Sequence, residues 1–212
     1  MLRSPLFRII VCLLAVLLLQ AGCHHERRRP VDAGGCPSVS FRWLTTPNRN
    51  ERKLSKYDYL IKKYAAQIGM DWRLLAAIIF QESKFNEQAL SPVGAKGLMQ
   101  VMDIAALHYG EPGADLFDPE TNIRLGTDVL EDLVEQFRDE GVAEEDIIRF
   151  AIASYNVGGG ALARRRAEAD SLGLNPNSWS DVATVFDREE HTTPAYISSV
   201  ESTYAKYCSR FR

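Results

Sequence analysis

From about residue 56 to residue 207 the apolar residues recur every three to four positions, in blocks closed by glycine or proline. No stretch sustains the alternation of a half-buried strand, so the pattern restricts the chain to helices packed on helices, a single, mostly α domain. A first helix is expected from Lys56 to Ile68, with Leu60, Ile61, Tyr64 and Ile68 on one face and Gly69 ending it. Asp71 is an N-cap for a second, running to Ser83. After a loop with Pro92 and Gly94, a third covers Gly97 to Tyr109. Pro119 opens a long helix whose stripe is Ile123, Leu130, Leu133, Val134 and Phe137. Another spans Glu144 to Tyr155, with Ile147, Ile148 and Ala151 inward. Gly158-Gly159-Gly160 breaks the pattern before a short basic helix, and a last helix runs from Pro194 to Tyr207.

The N-terminus reads differently. Arg3 and Arg8 precede an apolar run from Ile9 to Leu19, too short to span a bilayer comfortably and typical of an export signal. Gln20-Ala21-Gly22-Cys23 looks like a bacterial lipoprotein cleavage box, with Cys23 the lipidated first residue. Gln20 stands where such boxes usually carry leucine, so an ordinary secretory signal is the alternative; both export the chain. His24 after the cysteine, in place of aspartate, favours the outer membrane. The expected organisation is a signal over residues 1–22, a lipidated tether over 23–52 and a domain over 53–212. Cys12 leaves with the signal and Cys23 takes lipid. Cys36 and Cys208 remain, either bridged in an oxidising periplasm or as two thiols.

At 46% hydrophobic the chain can build a sizeable core, and a net charge of −3 gives no whole-chain case for nucleic acid. Arg27-Arg28-Arg29 falls in the tether, and Arg164-Arg165-Arg166 is expected on an exposed helix face. No His/Cys cluster has metal spacing, and neither metal nor cofactor is expected.

Glu82 carries the chemistry. Counted from Leu75, the positions i, i+3, i+4 and i+7 are Leu75, Ile78, Ile79 and Glu82. A carboxyl ending an apolar stripe loses hydration of its charged form, so its pKa should rise, and it can stay protonated to donate a proton. The plainer alternative is a solvated glutamate where the helix ends. Two further segments place polar groups beside glycines, where backbone can approach a ligand: Gly94-Ala95-Lys96-Gly97-Leu98-Met99-Gln100-Val101-Met102 and Ala151-Ile152-Ala153-Ser154-Tyr155-Asn156-Val157-Gly158; taken singly, each has a plainer reading, Gly94 and Gly97 as turn residues, Met99 as core filler and Tyr155-Asn156 as a helix C-terminus.

Glu82-Ser83, Gly97-Leu98-Met99-Gln100 and Tyr155-Asn156-Val157-Gly158, in this order, resemble the signature segments of lytic murein transglycosylase catalytic domains, relatives of goose-type lysozyme. Flanking runs agree: Phe85-Asn86, the run Leu116 to Ile123 with Gly126, and Asn175-Pro176-Asn177-Ser178-Trp179, the last similar to the transglycosylase F branch. The resemblance implies a lysozyme-like helical fold. It departs at Asp103, where relatives carry proline, at Ser154, where they carry alanine, and at His191-Thr192-Thr193-Pro194-Ala195-Tyr196, which lacks a glutamate before the cleft-closing tyrosine.

The implied substrate is the peptidoglycan glycan strand, and the implied catalyst is Glu82 alone. Protonated Glu82 donates to the oxygen joining N-acetylmuramic acid to N-acetylglucosamine while the sugar's N-acetyl carbonyl attacks the anomeric carbon. As a carboxylate, Glu82 then takes the proton of the muramic C6 hydroxyl, which closes a 1,6-anhydro ring. Ser83, Met99, Gln100, Tyr155 and Asn156 are implied to line the cleft, Met99 against a sugar face. Two alternatives stand: a goose-lysozyme-like hydrolase using water and a second carboxylate, Asp103 being one candidate, and a non-catalytic murein-binding envelope lipoprotein.

Overall fold

The computed structural model describes residues 53–186 and 192–211. Cys23, Cys36 and the tether lie outside them. Cys208 is half-buried on the last helix. No helix among the described residues is long and apolar enough to cross a membrane.

Eight helices follow in order among the described residues: α1 (Asp58–Gln67), α2 (Trp72–Ser83), α3 (Asp103–His108), α4 (Pro119–Asp139), α5 (Glu144–Val157), α6 (Gly159–Ser171), α7 (Trp179–Val182) and α8 (Thr192–Arg210), with a 3₁₀ turn at Ala183–Val185. The centre is α2, from which Leu74 to Ile79 are all buried. It packs against α8 and α1, while α4 lies along α5. Asp71 caps α2 by accepting from the Arg73 N–H at 2.9 Å. Its carboxylate also takes the Arg73 guanidinium at 2.6 Å and the Tyr204 hydroxyl at 2.9 Å, joining the start of α2 to the far end of α8. Burial works to raise the Asp71 pKa, but the bonds from Arg73 and Tyr204 outweigh it and hold the carboxyl below its ordinary value.

Three expectations are corrected. The third helix begins at Asp103, not Gly97, because Gly97 (φ 74°) and Gln100 (φ 52°) turn the chain through the left-handed region and Met102 is extended. Asp103 is then the first helical residue, where an acid suits the helix dipole. The glycine run is not a break of three: Gly158 alone (φ 85°) redirects the chain, and Gly159 and Gly160 already belong to α6. The basic cluster is not a uniformly exposed face. Arg166 stacks its guanidinium over Phe137 and Phe150, 5.5 and 5.4 Å from their ring centres, and donates to the Pro176 carbonyl at 2.9 Å. It thereby ties α6 to the segment carrying Trp179, itself buried edge-on to Phe150 at 5.7 Å.

Candidate active site

Glu82 occupies the last turn of α2, which ends as Lys84 and Phe85 both take positive φ, 53° and 63°. Such backbone is costly for side chains larger than glycine, especially an aromatic one, and it persists where packing over-determines it. Lys84, Phe85 and Gln100 are the positive-φ residues other than glycine among the described residues, and all three flank this site.

The turn from Lys96 to Val101 closes on itself, each of these two residues donating its N–H to the other's carbonyl at 2.9 Å. It is then hung from three helices. From α2, the Ser83 hydroxyl donates to the Leu98 carbonyl at 2.8 Å. From α5, the Tyr155 hydroxyl donates to the Met99 carbonyl at 2.7 Å. From α4, fully buried Asn122 accepts the Met99 N–H at 2.7 Å and donates to the carbonyls of Lys96 and Leu116 at 2.8 and 2.7 Å. The backbone of one turn therefore links all three signature segments.

Glu82 is met from α8. Gln81 holds that helix in place through the Thr203 hydroxyl at 2.9 Å, and on the same helix Ile197 and Val200, two turns and one turn before Thr203, are set into the core. This brings the Tyr196 hydroxyl to the Glu82 carboxylate, to which it donates. Burial raises the Glu82 pKa above the ordinary carboxylate value, against the hydrogen bond from Tyr196 and the positive charge of Lys84, which lower it. No other carboxylate among the described residues contributes to that shift. Asp103 is exposed and paired with Lys96 at 2.7 Å, and it is not among the groups that shift Glu82. Tyr155 and Tyr196 are also pushed up, by burial first and then by the charge of Glu82. The two phenols and the acid thus share one dry neighbourhood.

The expected lining is redistributed. Met99 has no exposed surface: its side chain is packed against Gly126, where an added Cβ would come within 2.7 Å of the Met99 sulfur. It cannot offer an apolar contact to a sugar. Ser83 is buried and its proton is spent on Leu98, so it holds the turn. Tyr155 likewise commits its proton to Met99, but its ring lines a groove of about 560 Å³ together with Gln100 and Met102. Gln100 donates to the Gly97 carbonyl at 3.0 Å. Asn156 is exposed, and its side-chain oxygen accepts from the Thr193 hydroxyl at 3.1 Å. Asn122 was missed as a site residue. Its signal was a carboxamide one position before Ile123 on the buried stripe of α4, where a polar group needs partners. Among the described residues no cluster of three His, Cys, Asp or Glu side chains is arranged to hold a metal.

The fold and site define a mostly helical, lysozyme-like domain whose site holds a desolvated carboxyl, Glu82. Residues 59–176 match the family model described as the transglycosylase SLT domain, and the chain belongs to that family. Over 132 residues it is 39% identical to a membrane-bound lytic murein transglycosylase F of Vibrio cholerae, covering 62% of this chain and 24% of that protein. A Shewanella pealeana protein of the same name is 40% identical over 135 residues, 64% of this chain and 27% of the relative. Among solved structures, an inactive glutamate-to-glutamine variant of the lytic transglycosylase Slt from Pseudomonas aeruginosa superposes with a TM-score of 0.54 and 26% identity, over 74% of this chain and 25% of the other. The 70-kDa soluble lytic transglycosylase of Escherichia coli gives 0.51 and 26%, over 73% and 25%. The chain spans about a quarter of the length of these proteins.

Proposed function

We propose that this protein is a peptidoglycan lytic transglycosylase, cleaving the bond between N-acetylmuramic acid and N-acetylglucosamine with formation of a 1,6-anhydro end. The observation that carries the reading is Glu82: an acid with a raised pKa, bonded by Tyr196, whose shift no second carboxylate among the described residues contributes to. A paired-carboxylate glycosidase divides acid and base or nucleophile between two groups. One carboxyl suffices when the substrate supplies the rest, its N-acetyl oxygen as nucleophile and its C6 hydroxyl as acceptor of the glycosyl group. Glu82 protonates the leaving oxygen and then removes the C6 proton, so a pKa lifted toward neutrality serves both half-reactions. The names of the similar proteins, lytic transglycosylases acting on murein, support the same chemistry.

Mass spectrometry of the fragments released from purified sacculi is expected to find anhydro-muramyl ends. Reducing ends in their place would turn the assignment to a hydrolase, and binding without release would turn it to a murein-binding protein. We further propose that the chain works in the cell envelope, tethered through a lipid on Cys23, and that Gln100, Met102 and Asn156 face the glycan. The membrane-bound character named for its relatives supports that placement.

Tyr196 tunes the acid. Its hydroxyl bond favours the ionised form of Glu82, so Tyr196→Phe raises the Glu82 pKa further. Activity requiring protonated Glu82 falls as pH rises through that pKa, and the alkaline limb of the pH–rate profile is expected to move to higher pH, with kcat down about tenfold. A limb that stays in place, or moves to lower pH, would show that the bond does not control the acid.

A further inference from the structure

Gln81 stands one residue before the acid, and its carboxamide bonds in two directions. The amide nitrogen donates to the Ser199 carbonyl at 3.2 Å and to the hydroxyl of buried Thr203 at 2.9 Å, both on α8. The amide oxygen accepts from the Lys84 ammonium at 3.0 Å. Lys84 follows three positions on, a spacing at which side chains of one helix face meet. The Phe80 ring centre lies 4.2 Å from the same ammonium, which favours its charge.

These partners fit a carboxamide and little else. A backbone carbonyl only accepts and an ammonium only donates, so residue 81 must offer a donor on one branch and an acceptor on the other. Glutamate would turn an oxygen toward the Ser199 carbonyl, and leucine would offer neither bond.

What the carboxamide holds is also what acts on Glu82. Tyr196 lies on α8 one turn before Ser199 and two turns before Thr203, and its hydroxyl donates to the Glu82 carboxylate. Lys84 brings positive charge from the end of α2. Burial raises the Glu82 pKa, these two groups pull it down, and no other group among the described residues contributes. From α5, Tyr155 feels the charge of Glu82 in turn. Tyr196 and Lys84 come from segments far apart in the chain, and Gln81 is where both are tied.

We propose that Gln81 is a positioning residue for the acid, one carboxamide that keeps Lys84 and the Tyr196 turn of α8 in reach of Glu82. The role rests on the reading of Glu82 as the group that protonates the leaving oxygen. The Tyr204 hydroxyl bond to Asp71, at the other end of α2, keeps α8 docked when the Gln81 bonds are cut, so the fit beside Glu82 changes while the fold persists.

Gln81→Leu retains helix preference and approximate size while removing both sets of bonds. Its alkaline limb of the pH–rate profile is expected at higher pH than in wild type, with kcat down about tenfold at unchanged KM. In protein already carrying Tyr196→Phe and Lys84→Met, Gln81→Leu is expected to move the limb no further, because the groups it positions are gone. Thr203→Val deletes one acceptor at nearly constant shape and is expected to move the limb the same way by less. A carbon NMR titration of the Glu82 carboxyl reads the same displacements without substrate. A limb and titration that stay in place or move to lower pH in Gln81→Leu and Thr203→Val would overturn the positioning role. So would an undiminished displacement by Gln81→Leu in the background lacking Tyr196 and Lys84. Should Gln81→Leu fail to fold, Thr203→Val decides. Wild-type protein that releases nothing from murein would overturn the cleavage reading, and the titration would still decide whether Gln81 positions the partners of Glu82.

Discussion

Glu82→Gln is expected to lower kcat on purified murein by at least about a hundredfold while KM stays near its wild-type value. Glutamine keeps the shape of the side chain and can still take the Tyr196 bond, but it has no proton to give to the leaving oxygen and no charge with which to reclaim one. The same change is expected to stabilise the fold near neutral pH. Burial raises the Glu82 pKa, so the folded state binds that proton more tightly than the unfolded chain does. Stability attributable to the group is therefore intact below the ordinary carboxylate pKa and declines as pH rises through the raised value. Glutamine removes the decline. Turnover assays with Tm measured across a pH series check both statements. Retention of most activity by the variant would remove Glu82 from the chemistry altogether.

Gly97→Ala is expected to destabilise the domain by about 3 kcal/mol or more, among the larger effects a single methyl group can have. Gly97 sits at φ 74°, and a Cβ there would lie 2.4 Å from both the Asn122 carboxamide nitrogen and the Leu116 carbonyl oxygen. The Leu116 oxygen is backbone, and Asn122 is held by three hydrogen bonds to the turn and its surroundings, so neither can retreat cheaply. Moving Asn122 leaves buried groups unsatisfied and releases the turn that positions Gln100. Urea denaturation followed by circular dichroism gives the loss of stability. A change below about 1 kcal/mol would show that the turn is not clamped as described.

The helices were legible because burying one stripe of a helix imposes its period on the sequence. Asp71 before α2, Pro119 opening α4 and the stripes of α4 and α5 all mark real elements. The third helix was misplaced because Gly97 to Met102 is apolar enough to imitate a helical stripe. Its left-handed residues include Gln100, a residue type that gives no local sign of such a backbone. The short α7 was overlooked because four residues are too few to show a period.

The roles within the site divide in the same way. The sequence by itself determined the helical class, the family resemblance and the acid, because an ionisable residue on an apolar stripe conflicts with burial wherever the helix packs. It could not distinguish a side chain that touches a ligand from one that touches another segment. Ser83, Met99 and Tyr155 belong to the signature segments, yet their bonds run to a turn's backbone or, for Met99, into the core. Tertiary structure also decided that Tyr196, more than a hundred residues along the chain, bonds the Glu82 carboxylate. Hydrogen bonds and desolvation act over a few ångströms in space, whereas periodicity registers only neighbours one turn apart along the chain. The desolvated acid could therefore be read from the sequence, while its partners appeared only once the helices were packed.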